Sequence, residues 1–307
     1  MTENVQHASV LVNEVIASLR CNERPNAVYL DCTVGLGGHT EAILSASSPS
    51  GRVIGLDRDA EALQLASKRV APFAERVTLC HADFVDLSQK ISALGLSEVD
   101  GILFDFGISS WQLDCAERGF SFQLSGPLDM RMDRSLPRNA ADLVNTLCET
   151  DLANLIYGYG EERQSRRIAF AIVRYRKEQG PVTRTDELAS IICRAMRVRP
   201  QGKRIHPATR TFLALRIAVN DELRQIHEAL SQAVSLLAVG GRLVVISFHS
   251  LEDRPVKHCF RDVSQGARSD TKRFINLYKK PMVPTREEML RNPRARSAKL
   301  RALERVA

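Results

Sequence analysis

The chain has 307 residues, of which 44% are hydrophobic and 26% are charged, and its formal net charge is +7 at pH 7. This composition is that of an ordinary globular protein, and no apolar run is long enough to predict a transmembrane helix, so a membrane protein is not expected. The seven cysteines include no Cys-x-x-Cys pair, which argues against a zinc site and predicts reduced thiols in a cytoplasmic protein. The first residues also lack the basic and apolar regions of a signal peptide.

The first predicted elements are a strand, a glycine-rich turn and a helix. The apolar run 28–30 predicts a buried strand, and the turn at 35–38 contains three glycines. A ligand can approach such a backbone closely because no Cβ atom intervenes. A second predicted strand, 52–57, ends in Asp57, at the position from which a carboxylate holds ribose hydroxyls. These features predict a site for an adenosine-type cofactor, and the alternative for the glycines alone is a turn without a ligand.

The residues around the turn favour one cofactor over another. The dinucleotide fingerprint needs a third glycine, and Thr40 stands in that place. Asp31 opens the turn, and a carboxylate there repels a pyrophosphate but suits a cation. S-adenosylmethionine carries a sulfonium and an ammonium and no phosphate. The pattern therefore favours S-adenosylmethionine, held in part by Asp31, over NAD.

Strands alternate with helices up to about residue 110. Further strands are predicted at 76–80 and 99–105, with helices at 60–70 and 85–94. Near-continuous apolar strands that alternate with helices are typical of a parallel sheet covered on both faces. We therefore expect an α/β fold.

The pattern changes in the middle of the chain, where no strand is predicted between residues 116 and 204. The helices predicted there are 142–149, 151–157, 160–177 and 185–196, the last with Thr183 or Thr185 as its cap. The elements predicted after them are helices 207–223 and 226–238, a strand at 242–247 that follows Gly240-Gly241, and a strand at 272–279.

This order predicts a discontinuous domain. We expect residues 1–114 and 207–307 to form the catalytic domain, and residues 115–206 to form a helical insertion that is a candidate for substrate recognition.

Polar side chains follow three later strand ends. After the third strand, Phe84 is placed to stack on an adenine, whereas Asp83 fits the cap of the next helix equally well. Asp105 ends the fourth strand, and the alternative to a functional residue there is a structural turn, which explains the acid less well because a lone buried charge is costly. His249 follows the fifth strand. Its alternative interpretations are a base, a substrate contact and a hydrogen-bonded core histidine. A metal site at His249 lacks a supporting cluster of ligands.

Basic residues are concentrated in two places. Residues 254–307 contain 15 Lys and Arg and 5 Asp and Glu, which favours a polyanionic substrate such as nucleic acid, with a solvated tail as the alternative. One predicted helix carries the second group, which either faces RNA phosphates or is a solvated surface: Arg163, Arg166, Arg167, Arg174, Arg176 and Lys177.

The motifs resemble those of the ribosomal RNA small subunit methyltransferase H family, also called MraW, in matching order over nearly the whole chain. The most specific runs are Gly126–Asp133 and Ser247–Arg254, and Asp31–Thr40 is a further match. The resemblance implies a cytoplasmic enzyme that uses S-adenosylmethionine to methylate N4 of a cytidine, conventionally position 1402, in the decoding region of 16S rRNA. It also implies a class I (Rossmann-like) methyltransferase sheet with an inserted all-helical domain. The implied partners are 16S rRNA and the small ribosomal subunit, with no membrane, and a homodimer is left open.

The resemblance also implies where the cofactor binds. The contacts fall on Gly37, Gly38 and His39 at the turn, Asp57 at the ribose and Phe84 near the adenine. Asp105 and Gln112 lie nearer the methionine end. The chain departs from the family pattern at four places, none of which removes a polar group assigned to the cofactor: Cys32, Val34-Gly35-Leu36, Phe106 and Trp111.

Methylation of a cytosine amine requires a proton acceptor, because the N4 lone pair is delocalised into the ring and N4 must lose a proton as it is alkylated. The candidates are Asp105, a backbone carbonyl beside it, and His249. Two other functions remain open at this point. One is an NAD-dependent oxidoreductase, and the other is a non-catalytic protein that binds RNA or assists ribosome assembly.

Overall fold

The computed structural model describes residues 9–198, 206–266 and 273–307. The chain forms two compact units, one made of Met1–Gly107 and Leu223–Ala307 and the other of Ile108–Glu222. Part of the predicted insertion, 199–205, lies outside the described residues, as does Lys272, the predicted start of the last strand.

The described residues contain thirteen α-helices, and none of these is long and apolar enough to cross a membrane. They are α1 Val12–Leu19, α2 Gly38–Ala46, α3 Ala60–Arg69, α4 Leu87–Ala93, α5 Ser110–Asp114, α6 Ala140–Thr146, α7 Glu149–Gly160, α8 Ser165–Glu178, α9 Thr185–Met196, α10 Thr209–Asn220, α11 Glu222–Leu236, α12 Ser250–Ser264 and α13 Arg286–Arg291.

The first unit is built on one seven-stranded sheet in the order β3-β2-β1-β4-β5-β7-β6. Its strands are β1 Val28–Asp31, β2 Arg52–Asp57, β3 Val77–His81, β4 Val99–Asp105, β5 Leu237–Ser247, β6 Phe274–Asn276 and β7 Lys299–Arg305. The first five strands pair in parallel, whereas β7 runs antiparallel to both β5 and β6. The prediction of an α/β class I sheet is confirmed.

Helices cover both faces of this sheet. Alternate strand residues belong to different cores, because successive side chains in a strand point to opposite faces. Leu30 shares one core with Ile226 of α11, whereas its neighbour Tyr29 shares the other core with Val15 of α1 and Ile43 of α2. A sheet that is buried on both faces has the near-continuous apolar strands that the sequence shows.

The second unit is helical and has a core of its own, which includes Ile156 of α7, Ile168 and Ile172 of α8, and Leu215 of α10. The helix predicted to begin at Gly160 begins instead at Ser165, and Gly160 ends the preceding helix. Close packing explains the glycine, because a Cβ atom there would lie 2.5 Å from the Arg210 carbonyl oxygen.

The predicted caps of α9 are wrong. The residue before the helix is Arg184, which makes no capping side-chain hydrogen bond. Thr185 is the first helical residue, and its hydroxyl donates to the Leu124 carbonyl oxygen (2.9 Å) and accepts from the Gly126 N–H (3.1 Å). This threonine therefore holds the loop before Gly126–Asp133 instead of capping its own helix.

Strand β5 begins five residues earlier than predicted, at Leu237 in place of residue 242. Gly240-Gly241 does not end a helix but lies inside the strand. The register with β4 shifts between Val99 and Gly101, and Gly240 takes a φ of +74°. The two glycines thus accommodate an irregularity in the strand.

Strand β7 was not predicted, and it changes the interpretation of the basic C-terminal segment. Leu300, Ala302 and Leu303 are buried, and Arg301 is only 6% exposed. The Arg301 guanidinium makes two hydrogen bonds to the Asp253 carboxylate, of 2.7 and 3.1 Å. Part of the segment is therefore sheet structure and not a solvated tail.

The buried pair predicts a large stability effect. Arg301→Ala leaves the Asp253 carboxylate without its guanidinium partner, so we expect the free energy of unfolding to fall by about 3 kcal/mol in urea titrations. Arg296→Ala, which removes an exposed arginine from the same segment, is the matched control and should change it by less than about 0.5 kcal/mol. An equal decrease in the free energy of unfolding in the two variants would show that the buried pair stabilises the fold no more than an exposed arginine does.

Candidate active site

Four strand ends meet at one edge of the sheet. Asp31 ends β1, between Gly55 of β2 and Leu103 of β4, and Asp105 ends β4 beside Ile246 of β5. The carboxyl ends of parallel strands are where α/β proteins bind ligands. This edge therefore holds the carboxylates that the sequence pointed to.

Asp31 organises the glycine-rich turn. The side chain is fully buried, and its carboxylate accepts hydrogen bonds from the Thr33 N–H (3.1 Å) and the Thr40 hydroxyl (2.6 Å). Burial raises the pKa of Asp31 above its usual range. The two hydrogen bonds join the start of the turn to the first turn of α2. Thr33 and Thr40 were not predicted as site residues.

Asp57 holds the same turn from the neighbouring strand. Its Oδ2 accepts from the Gly35 N–H at 2.7 Å and its Oδ1 from the Asp59 N–H at 2.8 Å. Burial raises the pKa of Asp57 to about 6. Gly37 precedes α2 with a φ of +80°, a conformation that favours glycine. The turn is thus pinned from two strands and leaves bare backbone at the start of a helix.

Both ring nitrogens of His39 contact other protein groups. Nε2 lies 2.9 Å from the Val10 carbonyl oxygen, and this nitrogen carries a hydrogen because a carbonyl only accepts. Nδ1 lies 3.5 Å from Oδ2 of Asp105, and the side chain is only 5% exposed. His39 therefore joins the turn to the end of β4 and to the segment before α1, and its backbone is the part left for a cofactor.

The described residues satisfy only part of the hydrogen-bonding capacity of Asp105. Its N–H donates to the Thr33 hydroxyl at 2.6 Å, and its side chain is 24% exposed. Oδ1 is buried and has no hydrogen-bond partner among the described residues. Burial raises the pKa of Asp105 to about 6; His39 opposes this shift, whereas Asp31 and Glu252 add to it. A carboxylate in this state can accept a hydrogen bond or a proton from a bound molecule.

His249 caps α12. Its Nδ1 accepts from the Glu252 N–H at 3.3 Å, so Nε2 is the protonated nitrogen, and it lies 2.9 Å from Oε1 of the same glutamate. Oε2 of the buried Glu252 accepts from the Phe248 N–H at 2.7 Å. Both imidazole nitrogens are therefore engaged locally. Glu252 was not singled out, although its spacing of three residues from His249 is that of a capping pair.

Phe84 and Gln112 lie in different units. Phe84, half-buried after β3, packs against Phe104 and Phe106 at centroid distances of 5.8 and 6.0 Å. The neighbouring Asp83 caps the short helical turn that follows it, and pairs with Arg58 at 3.0 Å.

Gln112 belongs to the second unit. Its Oε1 accepts from the Ser109 N–H at 2.9 Å in a capping box at the start of α5, and its side chain is buried. No group of three or more potential metal ligands occurs in the part of the chain that the structure describes.

The site fits S-adenosylmethionine better than a phosphate-bearing cofactor. Residues 33–38 of the turn carry no basic side chain, and the three strand-end carboxylates suit a cationic ligand. The buried Asp105 oxygen that has no partner also indicates a bound molecule, because a buried acceptor requires a hydrogen-bond donor. When bound, this cofactor supplies an electrophilic methyl group on a sulfonium. The fold and the site together define a Rossmann-like protein of the class I methyltransferase type.

Comparison with known proteins gives the family. A model described as the MraW methylase family matches residues 4–306, so the chain belongs to this family. Ribosomal RNA small subunit methyltransferase H of Syntrophobacter fumaroxidans is 47% identical over 98% of this chain and 97% of that protein. The proteins of that name from Geotalea uraniireducens and Geobacter sulfurreducens are each 49% identical, over 98% of this chain and 98% and 99% of theirs. The family confirms the predicted class of enzyme and its cofactor, S-adenosylmethionine.

Proposed function

We propose that this protein transfers a methyl group from S-adenosylmethionine to N4 of a cytidine in the decoding region of 16S rRNA. The relatives' names support the rRNA of the small subunit as the substrate. The observation that supports an amine as the methyl acceptor is the Asp105 carboxylate at the carboxyl edge of the sheet, one oxygen of which has no hydrogen-bond partner among the described residues. An amine nucleophile must give up a proton, and a carboxylate at this position can accept it.

The proposed chemistry assigns separate tasks to the described residues. Gly37, Gly38 and the His39 backbone lie against the cofactor, and Asp57 accepts hydrogen bonds from its ribose. The bound cofactor would supply the methyl group that N4 takes up, and its neutral thioether would be the leaving group. The Asp105 carboxylate would accept the proton that N4 loses on methylation.

The pKa of Asp105 near 6 agrees with this task. The group is mostly ionised at pH 7, so it can accept a hydrogen bond, and it is more basic than an ordinary aspartate. His249 is the weaker candidate because both of its nitrogens are already engaged with Glu252. Phe84 is proposed to pack near the adenine, and Asp31 to add negative charge for the cationic cofactor.

Mass spectrometry of rRNA nucleosides tests this function. Cells that lack the gene should contain unmodified cytidine at the target position, and the wild-type gene should restore N4-methylcytidine there. An Asp105→Ala gene should not restore it. Methylation at another atom of the base would contradict the N4 assignment. Restoration by the Asp105→Ala gene would contradict the catalytic assignment, and normal methylation without the gene would contradict the function altogether.

A further inference from the structure

The second unit exposes aromatic side chains on the helical hairpin of α7 and α8. Tyr157 of α7 is 61% exposed and Phe170 of α8 is 53% exposed. The same helices turn Ile156, Ile168 and Ile172 into the core, so the two aromatic residues are not needed to close it. Exposed aromatic rings on helices that pack against each other are typical of contact surfaces.

The exposed face of α8 is strongly basic. Arg166, Phe170, Arg174 and Lys177 follow one another at intervals of three and four residues, which places them on one side of a helix. Arg167 adjoins this stripe, Arg163 lies two residues before the helix begins, and all six side chains are exposed. The stripe therefore places one aromatic ring among five cations. Arg174 has a carboxylate partner, Glu178, at 2.8 Å.

A hydrogen bond joins this stripe to the exposed side of α7. Arg166 donates through Nη2 to the Asn154 side-chain oxygen at 2.8 Å. Tyr157 lies three residues after Asn154 in α7, so it stands on the same exposed side as that contact. We call this set the α7–α8 surface; it consists of Tyr157, Arg163, Arg166, Arg167, Phe170, Arg174 and Lys177.

Arg176 does not belong to this surface, although the sequence grouped it with the other basic residues. Its guanidinium donates to the carbonyl oxygens of Val144 and Leu147. These carbonyls lie at the end of α6 and just after it, so Arg176 holds one helix against another.

The charge of the α7–α8 surface determines the kind of partner that fits it. Among the described residues, no carboxylate is within ion-pair distance of Arg163 or Arg167, and neighbouring guanidinium groups repel each other. A polyanion removes this repulsion and releases its own counterions. The exposed rings place a second requirement on the partner, since aromatic side chains bind most favourably to flat groups on which they can stack. Single-stranded RNA offers both phosphates and unpaired bases, whereas duplex RNA keeps its bases stacked inside the helix.

We propose that the α7–α8 surface binds a single-stranded segment of the RNA substrate. Phe170 and Tyr157 stack on unpaired bases, and Arg163, Arg166 and Arg167 contact the phosphates on either side. This inference rests on the proposed function, because it takes RNA as the substrate. It goes beyond that function by assigning the contact to particular residues and by specifying unpaired RNA.

Binding of fluorescently labelled RNA to the full-length protein tests the proposal. The probes are a single-stranded oligoribonucleotide with the decoding-region sequence and the same strand paired to its complement. Phe170→Ala should weaken binding of the single strand about tenfold, with little change for the duplex. Arg166→Gln combined with Arg167→Gln should weaken binding of both probes and lower the slope of log affinity against log salt by between about 1 and 2.

Two control variants match these changes. Tyr159→Ala removes a ring from α7 that is 37% exposed and lies two residues from Tyr157, on another side of the helix. Arg52→Gln removes an exposed arginine from the first unit, at the start of β2 and outside the basic C-terminal segment. Both should bind RNA within about twofold of the wild type. Circular dichroism melting should show that every variant is folded.

The outcomes separate this proposal from the proposed function. Wild-type affinity in the Phe170 and arginine variants would overturn the α7–α8 assignment, and the function would stand if those variants methylated the small subunit normally. Equal loss for single strand and duplex in Phe170→Ala would overturn the stacking. A wild-type protein that bound neither RNA would overturn the α7–α8 proposal alone, because methylation of the small subunit tests the function separately. If Phe170→Ala bound RNA normally but lost binding to a small-subunit protein, the surface would be a protein-binding site instead.

Discussion

Asp105→Ala is expected to reduce methyl transfer by about a thousandfold while the protein remains folded. Removing the group that accepts the N4 proton eliminates general-base assistance, which contributes about 10² to 10⁴ in rate. The substitution should not unfold the first unit, because the lost carboxylate is one whose charged form is disfavoured by burial. Transfer of a tritiated methyl group to small ribosomal subunits from cells without the gene is the measurement.

Asp105→Asn separates charge from shape. It keeps the size of the side chain and one acceptor oxygen but cannot take up a proton, so we expect nearly the same loss as in Asp105→Ala. Glu75→Gln, which makes the same chemical change at an exposed position, should retain full activity. Near-normal turnover of Asp105→Asn would exclude Asp105 as the proton acceptor and leave a neighbouring backbone carbonyl or His249.

Calorimetric titration with S-adenosylmethionine distinguishes the two tasks that Asp105 could have. If Asp105 acts on the proton, the dissociation constant of the cofactor should change by less than about threefold while kcat falls. A loss of affinity that accounts for the whole loss of kcat/KM would instead make it a residue that holds the cofactor.

The sequence predicted the strand-end carboxylates because their signal is local. Asp31, Asp57 and Asp105 each end an uninterrupted apolar run, and a parallel sheet places such ends along one edge. The class of fold and the chemistry of this edge could therefore be inferred before any contact was known.

The use of His39 could not be inferred in the same way. Its two partners, Val10 and Asp105, are 29 and 66 positions away in the chain, and no local pattern pairs them. The loop glycines and the histidine form one motif in the sequence, yet only the backbone of that motif remains for a ligand.

Strand β7 was missed for a related reason. Its charged residues at 299, 301, 304 and 305 resemble a solvated segment. Burial of Arg301 depends on Asp253, which is 48 residues away. A buried ion pair thus concealed a strand that lies between two others, and truncation of the basic segment would break the sheet along with any RNA contact.

His39→Asn is expected to move the acid limb of the pH–rate profile to higher pH. His39 lowers the pKa of Asp105, whereas burial, Asp31 and Glu252 raise it. Without the imidazole that pKa rises above about 6, so protonation of Asp105 begins to inactivate the enzyme at a higher pH. The loss of kcat/KM should therefore be larger at pH 6 than at pH 8, where the carboxylate of the variant is again ionised.

The matched control is His81→Asn. The His81 ring also contacts a backbone carbonyl oxygen, that of Arg58, at 2.9 Å, and it ends β3 in the same sheet. His81 is not among the groups that shift the pKa of Asp105, so its replacement should leave the acid limb in place. If His39 only supported packing, its replacement would lower activity by the same factor at every pH. An unmoved limb in His39→Asn would therefore show that the contact between Nδ1 and Oδ2 does not tune the carboxylate.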